Sequence, residues 1–445
     1  MDIKAFMQCK KPRRSCRLEG KERTETKSKE LLQHPLGYFD MIPIELKFHI
    51  LHFLNVEELS VLTITSKSMR NLIEGYRVLT PVMQEILAKI HVQNSSHPVP
   101  SEKKNDVIRT FQQMGLLMKR STCLYSTRDR LKFVNEVLTK IMCSNTDKCE
   151  NLAGCIALSC FGKFLHTVIA GWDDSECLRV FDAVCQHTAI MKNVKIIVNS
   201  KPGKHTQIEY QIRAFFRRVF VDHSHTVQDR AFWLSRILKQ WPMVHQARLL
   251  YVLYGPAVEG EVLWYDVCES SPYNSEQSAA HFNELANALQ VLHCYTQEWS
   301  EDDVISVLDE LTSLPDEWLA ENIAHLLILC GDNITSRLLV SKAINGRIRE
   351  LASITTSFCV VCVKSSFSLT YVMTIVQNII DTLDSPKDRH SYFNNVMEMF
   401  KELILDTHEF SDPDDTHENE MFYLVTAMSE FTKKIINVAY KPLLS

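Results

Sequence analysis

Glycine is scarce in this 445-residue sequence, with 12 in total. Glycine-rich phosphate loops and folds with many tight β-turns both depend on this residue, so the composition argues against both. No sign of charge dominates, and a net charge of -5 gives no general attraction to nucleic acid or membranes. The N-terminal region is charged, and the most apolar stretch, residues 358–380, is interrupted by Lys364. We therefore expect no signal peptide and no transmembrane span, and we expect residues 358–380 to form buried helix.

Sequence patterns for catalysis and metal binding are also missing. There is no Gly-x-Ser-x-Gly elbow for acyl transfer, and no zinc-protease motif completes His223 and His225, which we interpret as a surface pair. Of the 14 cysteines, only Cys359 and Cys362 have the spacing of paired zinc ligands, and no second pair lies near them. Without an export signal, the cysteines are expected to be reduced thiols. The sequence thus predicts no catalytic residue, no metal site and no cofactor.

One basic helix face, with aromatic residues between its cations, resembles a nucleic-acid contact. It contains Arg213, Arg217 and Arg218 beside Phe215 and Phe216. Such faces more often lie at the surface and are supported by ion pairs. We favour that interpretation and do not expect direct nucleic-acid binding.

The spacing of apolar residues along the chain is typical of helices. Its hydrophobic content of 45% and charged content of 23% are ordinary for a globular protein that buries a core. From residue 107 to 440, apolar residues recur with helical spacing in segments of about 12 to 20 residues, joined by short loops. No strict period names a known repeat. We predict an all-α fold in which this region is a large irregular helical domain that could be solenoid-like.

The clearest local pattern lies at residues 39–73 and predicts three short helices. Asn55 can cap the second helix, with Glu58 placed as in a capping box, and Thr65 or Ser66 can cap the third, which ends near Gly75. So short a stretch cannot bury all its apolar side chains among themselves. Either the rest of the chain or a partner protein covers them, and spacing alone leaves both open.

Particular residues in this stretch decide between the two. They are Ile42-Pro43-Ile44-Glu45-Leu46 at the opening, Ile50, Leu51 and Leu54 in the first helix, Glu57-Glu58-Leu59 with Leu62 in the second, and Ser66-Lys67-Ser68-Met69-Arg70 in the third. This set resembles an F-box. Ile42 stands in place of the usual leucine, and Met69 in place of the usual tryptophan, which weakens the expected packing of the third helix. Further segments resemble, in order, one family of vertebrate F-box proteins; they are residues 160–164, 170–173, 231–234, 241–244, 302–306 and 342–347.

The resemblance implies a non-catalytic subunit of an SCF-type cullin–RING ubiquitin ligase. In that family the F-box binds a Skp-family adaptor, which connects it to the cullin and RING subunits, and the helical domain binds a protein substrate. The implied adaptor contacts are Ile42, Pro43, Leu46, Ile50, Leu51, Leu54, Leu59 and Leu62. The alternative is a scaffold that stabilises a chromosome-associated or structural protein. By resemblance, the expected setting is germ-cell meiosis, in the nucleus and/or cytoplasm.

The expected domain order follows from these patterns. It is a disordered basic segment at 1–34, the F-box at 35–80, a connecting helix and polar linker at 81–106, and the helical domain at 107–440. The first segment has ten Lys/Arg and five Asp/Glu, so it carries +5 and the remainder -10 (-5 - 5). Within it, Lys10, Lys11, Arg13 and Arg14 resemble a nuclear-localisation cluster, although a solvated basic tail explains them equally well. We expect long loops at 199–205, 269–278 and the acidic 407–420.

Overall fold

The computed structural model describes residues 35–76, 101–141, 156–270, 276–365, 367–409 and 416–440. The predictions for residues 1–34 and for a helix at 81–90 lie outside these ranges. Within them the chain is almost wholly helical, which confirms the predicted all-α class. One two-stranded antiparallel hairpin, β1 (Ala257–Val258) and β2 (Glu261–Val262), is the exception.

Three short helices, α1 to α3, form the N-terminal unit. They are α1 (Ile44–His52), α2 (Val56–Leu62) and α3 (Lys67–Gly75), preceded by a 3-10 turn at Gly37–Met41. The longer helices that follow are α4 (Ser101–Ser121), α5 (Thr127–Ile141), α6 (Ala157–Ile169), α7 (Asp174–Thr188), α8 (Ile190–Val198), α9 (Thr206–Phe216), α10 (Val227–Leu238) and α11 (Met243–Tyr254). After the hairpin come α12 (Asp266–Glu269), α13 (Glu276–His293), α14 (Glu301–Leu311), α15 (Ala320–Cys330), α16 (Asp332–Ile344), α17 (Ile348–Lys364), α18 (Thr370–Thr382), α19 (Pro386–Glu409) and α20 (Thr416–Tyr440).

The second half of the chain is a solenoid, because alternate helices stack on one another. Helices α11, α13, α15, α17 and α19 pack in sequence to form one row, and α14, α16 and α18 form a second row beside it. This arrangement buries a continuous core between the rows, as repeat architectures do. The solenoid form that the sequence left open is therefore the observed one.

Several helix ends carry local signals that start or stop a helix. Ser126 accepts from the backbone N–H of Asp129, and Ser300 forms a capping box with Asp303. Helix α15 ends at Gly331, whose φ of 86° lies in the left-handed region that suits glycine.

Helices extend into two of the segments that were expected to be loops. Residues 407–409 and 416–420 belong to α19 and α20, while 410–415 lie outside the described residues. Residues 276–278 belong to α13, while 271–275 also lie outside the described residues. These segments are polar and have no apolar stripe. Solvated helix ends and loops both have this kind of sequence, so the pattern could not tell them apart.

The predictions for the polar linker that ends at residue 106 and for the loop at 199–205 differ in how well they match the structure. Helix α4 starts at Ser101, so the last residues of the predicted polar linker are helical. The loop at 199–205 is confirmed.

The basic face on α9 differs from the expected solvated surface. Arg213 is buried and donates to the carbonyls of Val252 and Gly255 at 3.1 and 2.8 Å. Arg217 forms an ion pair with Glu284 at 2.7 Å. The ion pair confirms the interpretation that we favoured, whereas the burial of Arg213 corrects it: this arginine ties α9 to the end of α11.

The interpretation of His223 and His225 as a surface pair is wrong for one of them. His223 is half-buried and its ring lies 6.2 Å from that of the buried His166. Burial lowers the pKa of His166 to about 4 and also lowers that of His223. Sequence spacing could not show this, because the two histidines meet only through tertiary packing.

The prediction that 358–380 forms buried helix is confirmed for the end of α17 but is wrong for the rest of the stretch. Helix α18 buries one face and exposes Thr370, Thr374 and Gln377, and Phe367 between the two helices is 60% exposed. Across the described ranges, no helix is both long and apolar enough to cross a membrane. Cys359 and Cys362 lie buried on α17, where burial raises the pKa of both thiols, that of Cys362 to about 11. They are therefore protonated core residues at neutral pH.

Candidate adaptor-binding surface

Helices α2 and α3 of the N-terminal unit begin at caps that the sequence predicts. Asn55 accepts from the backbone N–H of Glu58 at 2.9 Å, and Glu58 in turn accepts from that of Asn55 at 2.8 Å. Ser66 accepts from Met69 at 3.0 Å. These bonds satisfy amide groups that a helix start leaves without partners, and so they set the turn between each pair of helices.

A partly buried ion pair holds the opening turn against α1. Lys47 lies 3.5 Å from the carboxylate of Asp40, which also accepts from the backbone N–H of Leu36. The Lys47 ammonium lies 5.9 Å from the ring centre of Phe39. A lysine is rarely so well buried unless it is paired, and here the pairing fixes residues 36–41 beside the first helix.

One side of the unit forms an apolar core. Leu51 and Leu59 are only 2% and 1% exposed, and Val56, Leu72 and Ile73 are buried with them. These side chains join the core of the helical domain through α4 rather than forming a separate cluster. The rest of the chain therefore covers this side.

The opposite side leaves large apolar side chains in solvent. On α1, Leu46 is 53% exposed and Ile50 is 42% exposed, and Phe53, just after the helix, is 74% exposed. The spacing of four and three residues places all three on one face. Other exposed apolar side chains of the unit are Tyr38, Met41, Ile44, Val61 and Ile64. We call Leu46, Ile50 and Phe53 the open face.

The eight predicted adaptor contacts therefore fall into different environments. Pro43, Leu46 and Ile50 are exposed, Ile42, Leu54 and Leu62 are half-buried, and Leu51 and Leu59 are core residues. Direct contact with a partner suits the first two groups, while the core pair can act only by holding the helices in place. Sequence analysis did not include Phe53; its place seven residues after Leu46 was the available signal.

A depression next to the open face adds shape to this surface. It has a volume of about 490 Å³ and lies where α1 turns into α2. Its lining combines apolar and acidic side chains, namely Leu54, Asn55, Glu57, Glu58, Val61 and Leu62. A partner helix with apolar and basic side chains fits such a surface.

Helix α4 carries the unit on the helical domain. Arg120 donates to the hydroxyl of Ser60 at 2.8 Å, and Gln113 donates to Glu57 at 2.9 Å. Helix α4 also presents a buried stripe made of Phe111, Met114, Leu117 and Met118. The contact between α2 and α4 is among the most extensive in the fold. The N-terminal unit thus packs directly against the helical domain and is not attached to it only through a linker.

The third helix packs without the aromatic residue that is usual at position 69. Met69 is half-buried against the core, and nearby Tyr76 lies 5.3 Å from Phe48, ring centre to ring centre. The Tyr76 hydroxyl lies 3.2 Å from Nδ1 of His52. Partial burial raises the pKa of Tyr76, so this hydroxyl is protonated at neutral pH. Phe48 and Tyr76 supply aromatic packing at the C-terminal end of α3, seven residues after Met69.

A second concave surface lies on the helical domain, between α16 and α18. It has a volume of about 560 Å³ and is lined mainly by polar side chains, among them Asn333, Ser336, Arg337, Tyr371 and Asn378. Arg337 is paired with Asp302 at its edge at 2.9 Å. No motif in the sequence pointed to this groove, because its walls come from two helices that α17 separates and that meet only by packing.

Comparisons with known proteins agree with both parts of the molecule. A model described as "F-box domain" matches residues 39–80, and one described as "FBXO47, ARM repeats" matches residues 186–431. F-box only protein 47 of Homo sapiens is 35% identical over 410 residues, which cover 90% of this chain and 89% of the human protein. The Mus musculus protein of the same name is 34% identical over 411 residues, with the same coverage. No solved structure matches the chain significantly.

Proposed function

The chain belongs to the F-box only protein 47 family, and we propose that it is the substrate-recognition subunit of an SCF-type cullin–RING ubiquitin ligase. The observation that carries the proposal is the open face, made by Leu46, Ile50 and Phe53 on an F-box whose other side is already covered by α4. An apolar helical face of this kind is completed by a partner protein. A Skp-family adaptor is that partner in F-box proteins.

The mechanism needs no chemistry from this chain. The adaptor joins the F-box to the cullin, whose RING subunit recruits the ubiquitin-conjugating enzyme, while the ARM-repeat region holds the substrate. Binding both at once raises the effective concentration of a substrate lysine near the ubiquitin thioester. We therefore propose a non-catalytic role.

The seating of the F-box supports this role. Because Arg120 and Gln113 of α4 bind the side chains of α2, the open face keeps one orientation relative to the solenoid. A substrate bound on the solenoid is then presented at a defined distance from the adaptor. The groove between α16 and α18 is the surface that we propose for substrate contact.

Recovery of the complex from cells tests the proposal. The tagged full chain should recover the adaptor, cullin and RING subunits together. Changing Leu46→Ala with Ile50→Ala should lose all three at once, because the cullin is reached only through the adaptor. The control, Met243→Ala with Val244→Ala, alters two exposed apolar residues on α11 and should lose none. Recovery of cullin by the Leu46/Ile50 variant would contradict the proposal.

The scaffold alternative predicts a different fate for the bound protein. We propose a nuclear, meiotic setting on the resemblance of Lys10, Lys11, Arg13 and Arg14 to a localisation cluster and on the family. When the chain is removed from such cells, a ligase substrate becomes more abundant, while a scaffolded partner becomes less abundant. That measurement separates the two roles.

A further inference from the structure

A positively charged surface lies where α8 ends and α9 begins. Residues 183–208 contain four lysines and no aspartate or glutamate, although the whole chain has a net charge of -5. All four are exposed, and within the described residues none of their side chains forms a salt bridge or a hydrogen bond. The hairpin that packs on α9 carries exposed Glu259 and Glu261, and neither pairs with these lysines. We call this set the lysine surface; it consists of Lys192, Lys195, Lys201 and Lys204.

Helix geometry and a tight turn bring the four lysines together. Lys192 and Lys195 are three residues apart on α8 and so lie on one face, opposite its buried side. In the loop that follows, the backbone N–H of Lys204 donates to the carbonyl of Lys201 at 3.2 Å. This turn places the Cα atoms of the second pair within about 7 Å of each other. Lys201 lies three residues after the end of α8, which brings the second pair close to the first.

Buried side chains hold this loop in place. Glu209 is fully buried and accepts from the backbone N–H of Gly203 at 3.0 Å and from Nε1 of Trp264 at 2.8 Å. Arg248, also buried, donates to the carbonyl of Ser200, and its guanidinium lies 5.7 Å from the centre of the Trp264 ring. Arg248 also places a positive charge near Glu209. The loop lysines are therefore carried on a backbone that is fixed before any partner binds, which reduces the entropic cost of binding.

Stability of the fold accounts for only part of this charge. A lysine in the last turn of a helix complements the helix dipole, and this accounts for Lys195. Lys204 lies two residues before Thr206, where α9 starts, and a cation there opposes the dipole. The N-cap residue of α9, His205, makes no side-chain capping bond that would offset this. A charge that works against local stability is expected where it serves a function.

The neighbouring residues indicate which kind of anion fits. Ile196 is 44% exposed and lies beside Lys192 and Lys195 on the outer face of α8, so an aliphatic side chain is available next to the charges. Residues 183–208 contain no Phe, Tyr, Trp or Arg, the side chains on which nucleic-acid bases commonly stack. A protein segment that combines carboxylates with an apolar side chain therefore fits this surface better than a nucleic acid does.

We propose that the lysine surface, together with Ile196, binds an acidic segment of a partner protein. The lysines supply the complementary charge, which speeds association and makes it sensitive to salt. Ile196 supplies an apolar contact that distinguishes such a segment from an anion without apolar groups. The proposal goes beyond adaptor binding and does not depend on it, because α8 and its loop lie apart in the chain from the helices of the F-box.

Fluorescence anisotropy with the purified full chain tests the charge. The probe is a labelled synthetic peptide of about 12 residues, made of Glu and Asp with one central Leu, which spans about 40 Å when extended. Wild type should bind it saturably at low salt and more weakly as salt is added. Lys201→Glu with Lys204→Glu should weaken binding at least about tenfold.

The matched control changes the net charge by the same amount elsewhere. Lys387→Glu with Lys433→Glu alters two exposed lysines on α19 and α20 and should leave binding of the peptide nearly unchanged. Circular dichroism checks the fold of each variant, and Lys204→Glu alone should slightly raise the melting temperature, because it removes the cation before α9. Equal loss of binding in the control pair would overturn the proposal, since net charge alone would then explain it.

Two further probes test the kind of partner. Ile196→Ser should weaken binding of the leucine peptide several-fold but not that of the same peptide with Ser in place of Leu. A single-stranded thymidine oligonucleotide of about 12 nucleotides should bind more weakly than the leucine peptide. Leu46→Ala with Ile50→Ala should bind the peptide as wild type does, so that failure of this proposal is distinguishable from failure of adaptor binding. No saturable binding of the peptide by wild type, or tighter binding of the oligonucleotide, would overturn the proposal.

Discussion

Arg120 of α4 donates to the side chain of Ser60 in the F-box across 2.8 Å, 60 positions apart in the sequence. Ser60 is itself buried, so this bond lies at the edge of the core shared by α2 and α4. The F-box and the helical domain thus form one packed structure. Under the proposed function, this packing presents a substrate held on the solenoid in a fixed direction.

Removing the side-chain hydrogen bonds between α2 and α4 should loosen this contact without abolishing adaptor binding. We expect Arg120→Ala with Gln113→Ala to cost about 1–3 kcal/mol, since each change removes one side-chain hydrogen bond. Hydrogen exchange of the backbone amides in α2 should become faster, while the affinity for the adaptor stays the same. Unchanged exchange in α2 would mean that the apolar stripe of α4 alone holds the box.

Core and surface apolar residues of the F-box should behave in opposite ways. Leu59→Ala should lower the free energy of unfolding by about 2–5 kcal/mol, because it opens a cavity beside α4. Val61→Ala, two residues away and half exposed, should change stability by less than about 0.5 kcal/mol yet weaken the adaptor complex. Chemical denaturation gives the first quantity and calorimetric titration the second. A stable Leu59→Ala protein would contradict the assignment of this residue to the core.

His166, which is buried beside the half-buried His223, should make the free energy of unfolding depend on pH. The pKa of His166 in the folded chain, about 4, lies below the value of about 6.5 expected after unfolding, so the unfolded state takes up a proton first. The free energy of unfolding should therefore have its full value above pH 6.5. It should fall by on the order of 3 kcal/mol as the pH drops towards 4. His223 contributes in the same direction. Chemical denaturation at several pH values measures the slope.

Two variants distinguish the contribution of the buried His166 from that of an exposed histidine. His166→Gln should flatten the pH dependence, although it lowers stability at neutral pH. His187→Gln, which alters an exposed histidine bonded to Thr139, should keep the wild-type slope. An equal slope in the His166 variant would show that other groups cause the acid sensitivity.

Two glycines offer a matched test of close packing. A Cβ on Gly162 would overlap the carbonyl oxygen of Arg218 and lie 2.6 Å from Cδ2 of His223. Gly162→Ala must therefore push α6 away from the π-helical turn after α9, Arg217–Val221. We expect a cost of several kcal/mol. Gly171 has open space around it but a φ of 83°, so Gly171→Ala should cost only about 1 kcal/mol. Thermal unfolding compares them, and similar melting temperatures would contradict the close approach of α6 to that turn.

Local signals in the sequence predicted local structure well. Asn55 accepts the bond that its position predicted, and of the two candidates Thr65 and Ser66 it is Ser66 that caps the third helix, because a cap depends on only a few neighbouring residues. The family resemblance identified the F-box and was confirmed by comparison.

Features that depend on tertiary packing were beyond the sequence. Leu51 and Leu46 have the same apolar character, yet one is buried and the other exposed, because α4 covers only one side of the box. Arg213 had the pattern of a surface cation, but its partners on α11 come from a distant part of the chain. The groove between α16 and α18 likewise exists only once the solenoid has formed.

The affinity of the open face for a Skp-family adaptor tests the central claim most directly. Wild type and the Met243→Ala/Val244→Ala control should co-elute with the adaptor as a one-to-one complex in size-exclusion chromatography. Leu46→Ala with Ile50→Ala, although folded, should bind at least about a hundredfold more weakly, since two central apolar contacts are lost. Failure of well-folded wild type to bind the adaptor, or unchanged binding by the Leu46/Ile50 variant, would contradict the account.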